Sequence, residues 1–213
     1  MTPEFPAPIS DVGIIDHPRT PRSLRVHEAV LAATRDLLDE GGLPAVTVEA
    51  IASRSGVSTA TIYKHWPCKT AVAAEAFGRT VAEATPVPET ASALHDLTEQ
   101  VMQMSALYSG PAGTVFTQLL AACAIEPRAG SYFREFFLNQ RRAGIQRVWE
   151  RAQAAGEVRP GIDADTATDV LYGPIAFRML AGHLSLSEDH ARAILDAALG
   201  GLLATPTTDH ERG

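Results

Sequence analysis

The stretch from Thr47 to Lys69, TVEAIASRSGVSTATIYKHWPCK, constrains the fold of this chain more than any other. Thr47 has the side chain of a helix N-cap, and Val48, Ile51 and Ala52 then recur on one helical face. Ser55-Gly56-Val57-Ser58 reads as a turn, because glycine takes a positive φ at little cost and Ser58 can cap a new helix. That second helix is expected over Thr59–His65, with Trp66-Pro67 as its stop. Ala52 is small enough for the two helices to cross closely, and Val48, Ile51, Val57 and Ile62 point inward. The pattern is a helix-turn-helix that leaves Thr59, Ala60, Thr61, Tyr63, Lys64 and His65 facing out.

Helical spacing continues on both sides. Val26, Val30, Leu37 and Leu38 mark a helix from about Pro21–Ser23 to Glu40, ended by Gly41-Gly42, with Pro44 against its continuation. A fourth helix is expected from about Cys68 to Ala84, followed by a composition break at Thr85-Pro86-Val87-Pro88. Further apolar stripes run through 94–108, 115–123 and 133–149, the last on one long helix from about Pro127 to Ala155. Asp163 and Ser187 are placed to start the last two helices. No segment alternates apolar and polar residues as a half-buried strand would. The fold class expected is all-α, an N-terminal three-helix helix-turn-helix module followed by a helical body. The organisation expected is a Pro-rich flexible arm over 1–21, a helix-turn-helix module with its connecting helix over 22–84, a helical body over 85–205, and a disordered tail over 206–213.

Composition narrows the function. The chain has 213 residues, of which 46% are hydrophobic and 20% charged, a globular balance. No apolar run reaches the roughly 18–20 residues of a membrane span, and the first ten residues lack the basic and apolar regions of a secretory signal. A cytoplasmic protein with no membrane contact is therefore expected. Cys68 and Cys123 are too few for a disulfide framework or a Cys-rich metal site. No GxSxG, HExxH, phosphate-binding glycine loop or CxxC is present, and the His residues show no ligand spacing. Neither catalysis nor a cofactor or metal is expected. The net charge is −7, yet residues 19–69 carry seven basic against five acidic side chains. The only lysines, Lys64 and Lys69, lie in that weakly basic module.

The residues Thr47, Ile51-Ala52, Gly56-Val57-Ser58, Tyr63, Trp66-Pro67 and Lys69 match the pattern of the tetracycline-repressor (TetR) family of bacterial regulators. The chain resembles that family at motif level over about Val26 to Val81, and the stretch Leu171–Leu180 is similar to the penultimate helix of one large subgroup. Cys68 is the departure, since family members more often carry Ser, Asn or Asp there. The resemblance implies that Thr47, Tyr63 and Lys69, joined by Thr61 and His65, bond DNA phosphates. It implies that Thr59, Ala60 and Lys64 approach base edges. Phosphate contacts set register, and contacts to base edges carry sequence information. Arg19, Arg22 and Arg25 are further candidates for the adjacent minor groove.

Beyond the module, the resemblance implies a homodimer on a palindromic double-stranded operator, built through the last two helices. Ile194, Leu195, Leu199 and Leu202 are the candidate stripe. It also implies a small, largely apolar ligand whose binding releases the repressor. Candidate lining residues are Met104, Tyr108, Phe116, Leu119, Phe137, Trp149, Tyr172 and Phe177, and polar groups such as Gln118, Arg141 and Arg178 stand in otherwise apolar stretches. The alternatives are a helical ligand-binding protein without DNA function, and a regulator that activates or has no inducer.

Overall fold

The computed structural model describes residues 20–202. The expected arm and tail lie outside them, except that Thr20 and Pro21 already start the first helix. Thr20 accepts from Ser23 N–H, Ser23 returns a bond to the Thr20 backbone, and Pro21 sits where no N–H is needed. Helix α1 runs Pro21–Ala45, with a break at Gly41 and Gly42, the latter at φ 65°. The regular helix therefore ends at Gly41-Gly42 as the sequence suggests, and one short further turn follows it to Ala45. Gln118 Oε1 makes the kink tolerable by accepting the Leu43 N–H at 2.7 Å.

Helix α2, Val48–Ser55, begins at the Thr47 cap and ends at Gly56, whose φ of 69° lets its N–H reach the Ala52 carbonyl at 3.0 Å. Helix α3 spans Thr59–His65 and α4 spans Lys69–Ala84. They are followed by α5 (Ala93–Tyr108), α6 (Pro111–Ile125), α7 (Pro127–Phe133), a π-helical turn (Arg134–Leu138), α8 (Asn139–Ala154), α9 (Ala164–Ala181) and α10 (Glu188–Leu202). The described residues are all-α, with an N-terminal helix-turn-helix and a helical body. The single long helix expected over Pro127–Ala155 is interrupted by the π turn, a wider turn that periodicity alone does not reveal.

The chain forms two compact units. One holds the residues up to Glu83 together with Thr114–Asn139; the other holds Ala84–Gly113 and the residues from Gln140 onward.

In the first unit, every residue from Thr70 to Gly78 of α4 is buried. Gly78 faces the Phe136 carbonyl so closely that any Cβ would collide with backbone. The rings of Phe77, Phe116 and Phe133 gather around Phe137, with centroids 5.4, 5.8 and 5.0 Å away.

In the second unit, Leu97, Val101, Ile145, Val148, Leu171, Ile175 and Leu195 form the buried centre. Asp96 is fully buried there, and burial alone would push its carboxyl pKa up. The Thr90 N–H and hydroxyl and the Arg151 guanidinium, 3.0 Å away, outweigh that and hold it below the usual carboxylate range. Arg142 ties α8 to α9 through Asp165 and Asp169, each at 2.9 Å.

One buried carboxylate fixes the end of the helix-turn-helix. Glu75 on α4 has His27 Nε2 of α1 2.7 Å from Oε1, and Oε2 accepts the Trp66 indole N–H at 2.7 Å. Trp66 stacks on His27 with ring centroids 4.6 Å apart, and its backbone N–H closes α3 on the Ile62 carbonyl. Arg79 stands 3.6 Å from the same carboxylate and is held in turn by Glu28. Removing one partner of a buried charged network strands the others, at about 3–5 kcal/mol. Glu75→Ala should therefore lower stability by about 3 kcal/mol in urea denaturation. Glu75→Gln still offers Trp66 an acceptor and should recover much of that loss. An unchanged midpoint for Glu75→Ala would show that the clamp contributes nothing.

Candidate nucleic-acid interface

Seven residues make less than two full turns, so α3 has one inner line and one outer face. Ile62 supplies the inner line and is 0% exposed. Thr59, Ala60, Tyr63 and Lys64 form the outer face, and Tyr63 stands 54% exposed although it is a large aromatic residue. Nothing on the unit covers that ring, while Ile62 just before it is fully packed.

Two of the residues expected to face out do not fully do so. Thr61 is half-buried, and its hydroxyl lies 2.9 Å from Ser58 Oγ within the cap of α3. His65 is three positions after Ile62 and so falls on the same inner side. It is half-buried, its ring edge-on to Trp66 at 5.7 Å, and its Nδ1 is buried with no hydrogen-bond partner. Thr47 is exposed, with Oγ1 accepting the Ala50 N–H at 3.0 Å as the cap of α2. Lys69 is exposed at the first position of α4. Among the described residues, neither Lys64 nor Lys69 has a carboxylate partner. Arg54 differs, because both its terminal nitrogens reach Glu40 at 2.8 Å. Arg22 and Arg25 are exposed on the first turns of α1, and Arg19 lies outside the described residues. Two unpaired ammonium groups, a phenol and a threonine hydroxyl on a face this narrow suit a polyanion with hydrogen-bonding edges, at the width a major groove admits.

The expected lining residues divide between the units. Phe116, Leu119 and Phe137 are buried in the first. Met104, Tyr108 and Trp149 are buried in the second, where the Trp149 indole donates to the Ile162 carbonyl at 3.0 Å and so serves the core. Tyr172 is half-buried as a residue, but its hydroxyl is buried without a hydrogen-bond partner. Phe177 lines no interior and stands 65% exposed, because α9 turns Ala167, Leu171 and Ile175 inward. Leu195 and Leu199 of the expected dimer stripe are buried within their own unit. The exposed apolar surface lies instead on Val170, Phe177 and Leu180 of α9 and on Leu184 beyond it. Cys68 is half-buried; burial raises the Cys123 thiol pKa to about 11, against the nearby Arg134 charge.

Sequence reading passed over Glu75 and His27, which hold α3 in place. The signal was present: a single carboxylate inside Thr70–Phe77, otherwise without charge, asks for a buried donor.

Similarity to known proteins agrees with this geometry. A family model described as bacterial regulatory proteins, tetR family, matches residues 30–76, and one described as tetracyclin repressor-like, C-terminal domain, matches residues 87–198. The HTH-type transcriptional regulator YdeS of Bacillus subtilis (strain 168) is 34% identical over 189 residues, covering 89% of this chain and 96% of that protein. The regulator Mb1581 of Mycobacterium bovis is 27% identical over 184 residues, covering 86% of this chain and 91% of that one. The crystal structure of the TetR family transcription regulator SCO0332 superimposes with a TM-score of 0.76 at 28% identity, over 84% of this chain and 100% of that chain. An exposed helix-turn-helix on a helical body, with relatives of this kind along nearly its whole length, makes the chain a member of the TetR family of DNA-binding transcriptional regulators.

Proposed function

We propose that the protein is a homodimeric repressor, that it binds a two-fold-symmetric operator through α3, and that a small, largely apolar ligand releases it. The observation that carries this reading is the outer face of α3, where Tyr63 and Lys64 stand exposed over a fully buried Ile62. In this reading residues 22–84 are the DNA-binding domain and residues 85–205 the ligand-binding and dimerisation domain, and the protein acts in the cytoplasm. Thr47, Tyr63 and Lys69 hold phosphates, with Thr61 and His65 as weaker partners given their partial burial. Thr59, Ala60 and Lys64 read bases; an ammonium suits guanine O6 or N7, and a methyl suits thymine.

One helix-turn-helix offers few base contacts, so specificity calls for two half-sites about one helical turn apart. The exposed stripe of Val170, Phe177, Leu180 and Leu184 supports a second copy as the partner, since apolar surface of this kind is otherwise left against water. Release then requires a ligand with higher affinity for the state whose recognition helices are out of register. The helix α4 joins the DNA-binding residues to the body and is the element such a ligand would tilt.

Selection of sites from random DNA at about 0.15 M salt should yield a palindrome with half-sites about 10 bp apart. An asymmetric consensus, or none with ligand-free protein, would sink the dimeric reading. On the selected site, Lys69→Ala should weaken binding evenly across sequences and lower the log-salt slope by about 1. Lys64→Ala should instead relax preference at one base pair per half-site. A Lys69→Ala protein with altered sequence preference and an unchanged salt slope would reverse the assigned roles. Phe177→Glu should shift sedimentation from dimer to monomer at micromolar concentration and reduce operator affinity with it. A Phe177→Glu protein that remains dimeric would place the interface elsewhere.

A further inference from the structure

We propose that Arg141 and Tyr172 anchor a carboxylate, so that the ligand of the second unit is an apolar organic acid carrying a single negative charge. This rests on the reading of that unit as a ligand-binding body, and it names the chemical class of ligand.

The argument starts from a charge without a counter-charge. The half-buried Arg141 donates from Nη1 to the Thr85 carbonyl at 3.0 Å, and from Nη2 to Thr85 Oγ1 at 3.0 Å and to Met104 Sδ at 3.2 Å. Gln100, in the amide orientation that satisfies both its ends, accepts from the same guanidinium and donates to the Pro86 carbonyl at 3.2 Å. Every one of these partners is neutral. Among the described residues no carboxylate lies within ion-pair distance of Arg141. Its neighbours on α8 differ: Arg142 has two aspartates at 2.9 Å, and Arg151 has Asp96 at 3.0 Å. Neutral acceptors orient a guanidinium, but they do not offset the cost of withdrawing its charge from water. The Nε–H makes none of these bonds, so one N–H of the guanidinium is still able to donate.

The second half of the site is a hydroxyl in want of a partner. Tyr172 on α9 has its phenol oxygen buried and without a hydrogen bond. Burial raises its pKa well above the ordinary phenol range, although the Arg141 charge pulls the other way. It is therefore a neutral donor near a fixed positive charge. Tyr108 on α5, also raised by burial, feels the same charge. Met104, whose sulfur accepts from Arg141, is itself buried.

A carboxylate answers both needs at once. Its two oxygens can take the free Nε–H of the guanidinium and the Tyr172 O–H, and charge-assisted bonds of this kind are roughly twice as strong as neutral ones. One cation with no second beside it calls for a monoanion; a phosphate dianion would leave excess negative charge among apolar groups. Because Arg141 also holds Thr85, the residue after the last of α4, an anion drawing on that guanidinium acts where α4 ends.

The test uses the full chain and matched pairs of acids and methyl esters, namely octanoate, decanoate, benzoate and naphthoate, titrated by calorimetry. At least one acid should bind about tenfold more tightly than its ester. Arg141→Met should cut that acid's affinity by about tenfold and leave the ester's unchanged, whereas Arg141→Lys should retain part of the preference. Tyr172→Phe leaves the Arg141–Thr85 bonds in place and should cost the acid alone about threefold to tenfold; it carries the test if Arg141→Met does not fold. Equal affinity for acid and ester, a preference that survives both Arg141→Met and Tyr172→Phe, or no binding by any acid would overturn the proposal. Operator affinity measured on the same samples separates it from the release mechanism. Acid-selective binding without loss of DNA affinity would sink ligand release and leave the anchor standing. Release by acid and ester alike would do the opposite.

Discussion

A carboxylate sits almost wholly out of reach of water, and the helix-turn-helix closes around it. Glu75 stands inside a run of α4 in which every residue is buried, so its two oxygens must be met by the protein itself. They are met by α1, through His27, and by the residue that ends α3, through the Trp66 indole. A helix of seven residues has too few internal bonds to be stable alone. Its position is imposed from outside, at its start by the Ser58 cap and at its end by Trp66. The indole stacks on the same histidine that the carboxylate holds, so the three side chains fix one another. A helix held in this way presents Tyr63 and Lys64 from a fixed backbone, so little further ordering is needed for them to meet a partner.

The second unit handles charge differently. Arg142 and Arg151 each find carboxylates, and those pairs stitch α8 to α9 and to the start of α5. Arg141, on the same helix, is surrounded only by neutral acceptors. The contrast matters because all three arginines belong to one helix, Arg141 and Arg142 in its first turn and Arg151 in its last. The paired ones read as structure. Arg141 is oriented as firmly as they are, but its charge is left for something else to balance.

Local grammar made α3 legible in full: a serine cap, a buried isoleucine and a proline stop set its ends at Thr59 and His65. The same grammar found the Gly56 turn and the caps at Asp163 and Ser187. It failed where the deciding partner is distant in sequence. The turn that follows Gly42 is held by Gln118, 75 residues from Leu43, a contact that local spacing does not reveal. The ring contacts of His65 are with Trp66 and with His27, 38 positions earlier, and Glu75 holds both of those in place. The π turn at Arg134–Leu138 leaves the apolar spacing nearly unchanged while altering the backbone bonds. Phe177 looked like interior because aromatic residues usually are; its helix is apolar almost all round, and periodicity cannot say which apolar face is covered.

Lys64 and Lys69 are the only lysines in the sequence, and both are exposed, one on the outer face of α3 and one at the start of α4. Every other basic side chain that carries a fixed charge is an arginine, which amine acylation does not touch. The side-chain amines of this molecule therefore share one structural address. Any acetyl, succinyl or reporter group delivered by lysine chemistry arrives on α3 or at the start of α4, where it removes a positive charge, and leaves the charge pattern of the second unit as it was.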